Sequence, residues 1–394
     1  KCFYEGGLIN RYDTIFSIYD SLYNAGVDEG DLPVITETWN ELEQQYGKLT
    51  IHRLEKKWDS RFLDSHFLID NLEQAFEAWG DTPDFVSHNL DDFYEYVLPY
   101  RANNEKPEIY RKRYREELRN LYNVGKDSVE SLIREFNKEF WLNRRYRYCN
   151  TLWKYPIALP ISKMEKGHHS ACRHATTFYA SVMRACGLPV AIDYVKAWGN
   201  RSMGHEWNVL LLDNGKIYPF DAFNGKRLEF TYKPAKIFRR KFSLTSGNMP
   251  SLKDVPSYLT LKDELDVTEQ YGDVYDISIP CLYPWDGNGK KQYAVICVFD
   301  NAAWKPVYWG KIKNGQIVFR HMMGDVCYMA GYYTQGKIIP ANEPFILKKD
   351  GRIEYLKINK NARLSMILKR KYPRFPRMEL FATHIRRGKV RGAD

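Results

Sequence analysis

The sequence predicts an α+β protein in three parts: a helical N-terminal region over 1–143, a central unit over 144–250, and a β-rich C-terminal domain over 251–394. Three observations carry this. Apolar residues recur at three- and four-residue spacing through the first 143 residues. After residue 145, a helix that ends at a glycine is followed by strand-like runs. Beyond about residue 260, alternating apolar runs are punctuated by Asn-Gly, Asp-Gly and Gly-Asn-Gly turns. A length of 394 residues also exceeds one ordinary domain.

In LINRYDTIFSIYDSLYNAG, Leu8, Tyr12, Ile15, Ile18, Tyr19 and Leu22 share a helical face. DSRFLDSHFLIDNLEQAFEAWGD repeats the pattern, with Asp59 as the expected N-cap and Gly80 near the stop. LDDFYEYVLPY, PEIYRKRYREELRNLYN and SVESLIREFNKEFWLN complete the helical set. Pro156 and Pro160 set an extended lead-in to a helix from about Ser170 to Cys186, and Gly187 ends it in the left-handed conformation. VAIDYVKAW, HEWNVLLL and KIYPFDAF then read as strands, as do KQYAVICVFD, KPVYWGKI, GQIVFRHM and RIEYLKI. The closing KRKYPRFPRMELFATHIRRGKVRGAD has no assignable pattern.

Composition narrows the function classes. The formal net charge is +10, but its runs, RKRYREELR (111–119), KIFRRK (236–241) and RRGKVR (386–391), are scattered. No zinc-finger spacing, RNA-recognition signature or basic zipper accompanies them, so no nucleic-acid partner is expected. No apolar run reaches the ~18 residues of a membrane span. Seven cysteines without regular spacing do not form a disulfide framework. Aromatics reach 15%, which suits either an aromatic binding surface or aromatic-rich sheet cores.

The informative stretch is GHHSACRHATTFYASVMRACGLPVA (167–191), with His168, His169, Cys172 and His174 inside seven residues. A metal site would need these ligands to converge. They straddle a helix start, with Cys172 and His174 about 200° apart around the axis, and no second Cys/His pair is near. No metal and no cofactor are expected. On the helix, Cys172, Ala175, Tyr179, Val182 or Met183, and Cys186 form one apolar stripe, and His174 reads as a surface residue. With Ser170 as N-cap, Cys172 falls in the first turn, where the helix dipole and free N–H groups favour a thiolate and can stabilise an oxyanion. Cys186 lacks these and reads as packing.

A catalytic thiol needs a base and a group that orients the base. His205 opens an apolar strand, and Asp221 closes the next one after the turn at Asp213-Asn214-Gly215. A two-residue loop would put Asp221 on the face opposite His205. A three-residue loop with Gly215 left-handed pairs Trp207 with Asp221 instead. Asp221 then lies on the His205 face, one diagonal step (~7–8 Å between Cα atoms) away. A triad of Cys172, His205 and Asp221 requires the second register.

At these residues the sequence resembles the transglutaminase-like superfamily of papain-like cysteine enzymes. The likeness rests on the Cys172 helix running into Gly187-Leu188-Pro189, on Gly204-His205-Glu206-Trp207, and on the strand closing at Asp221. It covers about residues 145–230. It implies a papain-like core, with a central helix packed on an antiparallel sheet. It also implies Cys172 as nucleophile, His205 as general base and acid, and Asp221 as the orienting group. Leu188 replaces the usual Ile, and Arg173 stands where an aromatic residue often follows the cysteine. His169 and Trp153 are the candidates for completing an oxyanion hole, and either could instead be packing. Trp207, Trp198 and Asn200 are candidate substrate contacts, with packing the rival reading for Trp198.

The expected activity is cleavage of an amide bond through an acyl-enzyme, with water favoured over an amine as acceptor. The substrate would be a peptide, glycopeptide or cell-wall fragment. The rival reading is a non-catalytic binding or scaffold protein that keeps the fold. A chain starting at Lys1, together with the habit of the family, suggests an extracytoplasmic setting. Oligomeric state is left open.

Overall fold

A computed structural model describes residues 1–356, apart from 28, 126, 246–249 and 302. The unassigned tail (369–394), with its basic run 386–391, lies outside the described residues. Every residue of the helix Cys172–Ala185 except Arg173 is buried. The sequence leads one to expect a single apolar stripe. The remaining faces carry small or hydroxyl side chains, Thr176, Thr177, Ala180 and Ser181 among them, which let neighbours approach closely. The hydroxyls of Thr176 and Thr177 turn back to the Arg173 carbonyl at 3.1 and 2.8 Å, so they need no outside partner.

A helix buried all round needs cover on both sides. On one side lies a five-stranded antiparallel sheet. Its order is Ile217–Phe220, His205–Leu211, Val190–Val195, Phe238–Arg240 and Glu264–Asp266. The last strand comes from beyond residue 250, so this sheet draws on the segment that the sequence groups with the C-terminal domain. Gly187, at φ 81°, ends the helix as expected and turns the chain into the central strand.

The other side is covered by the N-terminal region. One apolar cluster joins Ile9, Tyr12, Trp39 and Phe136 to Phe178, Tyr179 and Val182 of the buried helix. The helices here are Gly7–Tyr12, Thr14–Asn24, Pro33–Tyr46, Ser65–Trp79, Leu90–Tyr96, Arg111–Gly125 and Val129–Asn137. Three local expectations are corrected. Asp59 does not cap the fourth of these; the chain breaks after Phe62, and Asp64 caps it through Phe67 N at 2.8 Å. Asp59 is instead buried against Arg101. The region is not wholly helical, because Cys2–Glu5 pairs with Glu55–Trp58. Finally, the stretch after Pro160 is a helix, Ile161–Gly167, not an extended segment.

The C-terminal domain is an eight-stranded antiparallel sheet. Its order is Val274–Pro280, Gln316–Met323, Ala303–Lys313, Tyr293–Asp300, Val326–Thr334, Phe345–Leu347 and Ile353–Tyr355, with Lys337–Pro340 also paired to Val326–Thr334. Ile277, Ile296, Phe319 and Tyr328 fill its core.

Arg111 ties the N-terminal region to the end of the buried helix. It is buried, and it donates to Asn71 Oδ1 at 2.7 Å and to the carbonyls of Arg184, Val97 and Pro99 at 3.0, 2.6 and 2.7 Å. Arg184 lies in the last turn of the buried helix, where unpaired carbonyls favour a cation. Arg111→Ala should therefore strand several buried acceptors and cost about 3 kcal/mol or more. Urea denaturation of the variant beside the parent checks this through the shift in midpoint.

Candidate active site

Cys172 is the first residue of its helix, and Ala171 occupies the cap position. Ser170, expected to cap, lies in a two-residue strand (His169–Ser170) paired with Arg147–Tyr148, so no side chain caps the helix. The backbone therefore supplies what the cap does not. The backbone N–H groups of Glu206 and Arg173 face the sulfur and favour its charged form. Burial outweighs them: removed from water and close to the Glu206 carboxylate, the thiol is held well above its ordinary range. The dipole argument from sequence predicts the opposite direction, and desolvation decides the sign.

His205 begins the strand next to the helix, and Asn208 ties the two together by donating to the Thr176 carbonyl at 2.8 Å. The hairpin after this strand has the three-residue register. Leu212 N donates to Lys216 O at 3.0 Å, Gly215 has φ 72°, and Asn208 pairs with Phe220. Trp207 consequently lies opposite Asp221, and Asp221 shares a face with His205. Phe223 N holds Asp221 Oδ1 at 2.8 Å, leaving Oδ2 3.9 Å from His205 Nε2. That is an ion-pair distance, not a hydrogen bond. With Nε2 toward Asp221, Nδ1 is the nitrogen left for a thiol. Among the described residues no hydrogen bond joins Cys172 to His205. Burial lowers the His205 pKa, opposed by Asp221 and Glu206, so the imidazole is neutral near pH 7.

The loop before His205 is tightly specified. A Cβ on Gly204 would lie 2.3 Å from the Val195 carbonyl oxygen, so only glycine fits where the loop meets the strand. Trp198 N donates to Met203 O at 3.2 Å across the loop, and Asp300, from the C-terminal sheet, accepts from Met203 N at 3.2 Å. Beneath the loop, Trp207 Nε1 donates to Tyr271 Oη (2.8 Å), which donates to Asp193, itself bridged by Arg239 at 2.8 Å.

Cys172, His205 and Asp221 all line one cavity of about 590 Å³. Of the other candidates, Trp153 and Trp198 also line it. Trp198 does so while almost wholly buried, its ring 6.3 Å from that of His205. The structure places the rest elsewhere. Trp207 is fully buried in the network just described. Asn200 is exposed and bonds Lys233 N. His169 is buried against Tyr19, with its ring nitrogens on the carbonyls of Gly167 and Glu29 at 2.8 and 2.7 Å. His174 is not at the surface: it is buried and bonded to the Leu152 carbonyl at 3.0 Å. The four side chains of the His/Cys run thus point into separate surroundings, with His168 stacked on Tyr23.

Sequence reasoning missed Trp141, Tyr148, Asn150, Phe223, Phe230 and Tyr232, which complete much of the wall. Only Phe223 carried a signal, its place two residues after Asp221. Trp153 Nε1 donates to Tyr148 Oη, whose own hydroxyl reaches Asn150 Oδ1 at 3.2 Å.

Two outcomes follow from this geometry. Gly204→Ala should displace the His205 loop and slow alkylation of Cys172 at least tenfold in a folded protein, as checked by iodoacetamide rates and circular dichroism. Burial lowers the His174 pKa to about 4. The unfolded chain binds this proton near pH 6.5 and the folded chain does not. The stability that His174 contributes is therefore present above about pH 6.5 and lost as pH falls through about 4, on the order of 3 kcal/mol. Melting curves between pH 7 and 4 should show a shallower decline for His174→Gln than for the parent.

No family model matches this chain, and no curated protein matches it.

Proposed function

We propose that the protein is a cysteine-dependent enzyme of the transglutaminase-like type, with a papain-like core, that cleaves or transfers an amide bond. The observation that carries this reading is the convergence of Cys172, His205 and Asp221 on one cavity, in the hairpin register that such a triad requires.

In this reading the resting pair is a neutral thiol and a neutral imidazole. His205 Nδ1 takes the thiol proton as Cys172 Sγ attacks the carbonyl carbon. Asp221 holds the ring and offsets the charge it gains. The oxyanion is met by the Arg173 N–H at the helix start, since the Trp153 N–H already serves Tyr148 and the Tyr148 hydroxyl donates to Asn150. His205 returns its proton to the departing amine, and a thioester remains on Cys172. Water then attacks the thioester carbon, giving a proton to His205; the C–S bond breaks, the acyl group leaves as a carboxylic acid, and His205 returns the proton to Cys172 Sγ. The aromatic wall suits a peptide or glycopeptide acyl group, whose apolar faces stack on flat rings.

The rival reading, a binding module without turnover, draws on the raised thiol pKa and the missing Cys172–His205 hydrogen bond. One experiment separates them. The rate of Cys172 alkylation by iodoacetamide is measured from pH 5 to 9 in the parent and in His205→Ala. A coupled pair gives a rate that rises as His205 deprotonates, through an apparent pKa below the ordinary ~6.5, and that falls at least tenfold in the variant. Equal, slow profiles that rise only with free thiol ionisation would support the binding module.

A further inference from the structure

We infer that the amide handled by this site carries a carboxylate on its amine side, within a residue or two of the scissile bond; this rests on the amide chemistry proposed above. A second cavity, of about 380 Å³, adjoins the first and shares Trp153, Gly204 and His205 with it. Cys172 and Asp221 line only the first. An acyl group bonded to Cys172 extends into the first cavity. The amine that takes its proton from His205 lies beyond that residue, in the second.

The two cavities differ in chemistry. Aromatic rings dominate the first. The second is lined by four cationic side chains, Arg173, Lys196, Arg240 and Lys305, and by one carboxylate, Glu206. Two of the cations are committed. Lys196 holds both oxygens of Glu264 at 2.8 and 2.7 Å, and Arg240 donates to Glu206 at 2.9 Å. The other two keep donors for a ligand. Arg173 gives Nη1 to the Pro156 carbonyl at 3.2 Å and approaches Glu206 through Nε at 3.6 Å. Its Nη2 bonds nothing among the described residues. Lys305 has one ion pair, to Asp300 at 3.6 Å, and no hydrogen bond among the described residues. Asp300 also accepts from Met203 N, so its charge is shared. The side chains of Arg173 and Lys305 are 34% and 40% exposed, within reach of an entering group.

A carboxylate bound here gains charge-assisted hydrogen bonds from both, and the guanidinium fork matches its geometry. Peptide amines with a nearby C-terminal carboxylate have this chemistry. Arg173 becomes a specificity residue in this account. Lys305, from the strand Ala303–Lys313, gives the C-terminal sheet a direct part in substrate choice.

The test uses acetyl-Phe-Gly-Gly with a free C-terminal carboxylate and the same peptide as its C-terminal amide. Each is titrated as a protectant of Cys172 against iodoacetamide in the parent, R173Q, K305Q and the double variant. The carboxylate form should protect the parent at a concentration at least tenfold lower than the amide form. The gap should narrow in each single variant and shrink to within twofold in the double one. K305Q, at an exposed position, keeps the test informative should R173Q disturb the helix start. Failure of the carboxylate form to protect, equal protection by the two forms, or an unchanged gap in the double variant would overturn the inference. Alkylation of the parent beside His205→Ala, without peptide, reports separately on the Cys172–His205 pair.

Discussion

The burial of the Cys172–Ala185 helix on every face is the constraint on which the remaining architecture depends. A surface helix could present a cysteine at its start with one apolar stripe against a sheet. This helix has no solvent side, so the N-terminal helices are the second half of its packing. Its first residue is buried as well, and that places the thiol at the floor of a cavity. The same burial raises the thiol pKa and lowers that of the nearby imidazole. Both effects disfavour a pre-formed ion pair, so in the proposed reaction proton transfer would be coupled to attack.

Placement of the histidine is a separate matter, handled by backbone contacts from three directions. Asn208 locks the strand to the helix, Gly204 lets the loop close on Val195, and Asp300 holds Met203 from the C-terminal sheet. Beneath them, the Trp207–Tyr271–Asp193–Arg239 chain satisfies every buried polar group that it uses, as such a network must to be stable in a low-dielectric interior. Glu206 is held differently. Burial pushes its pKa up, but Arg240 and Arg173 more than offset this and keep it ionised in the wall of the second cavity. The C-terminal sheet thus reaches the cavities through both Asp300 and Lys305.

Much of this was legible from local rules. The helix from Cys172 to its glycine stop, the strand at His205 and the strand at Ile217 follow from periodicity and turn residues. The decisive register, Trp207 opposite Asp221, was one of two that the sequence allowed, and Gly215 left-handed is what the three-residue loop needs. The errors share a cause. Ser170, His169 and His174 lie near Cys172 in sequence, yet His169 and Ser170 form a short strand and the two histidines are buried in separate surroundings. Asp59 resembled a cap, but a break after Phe62 passed that role to Asp64.

What the sequence determined by itself was the inventory: which residues could act as nucleophile, base and orienting acid, and which elements carry them. Those are properties of residue type and short-range spacing. Only the tertiary structure decided the sign of the thiol shift, because desolvation depends on everything packed around the sulfur. It alone decided which aromatic rings line the cavity, since Phe230 lies far along the chain from Trp141 and Tyr148. It also joined Arg173 to Lys305 across one groove, which no local pattern in the sequence could indicate.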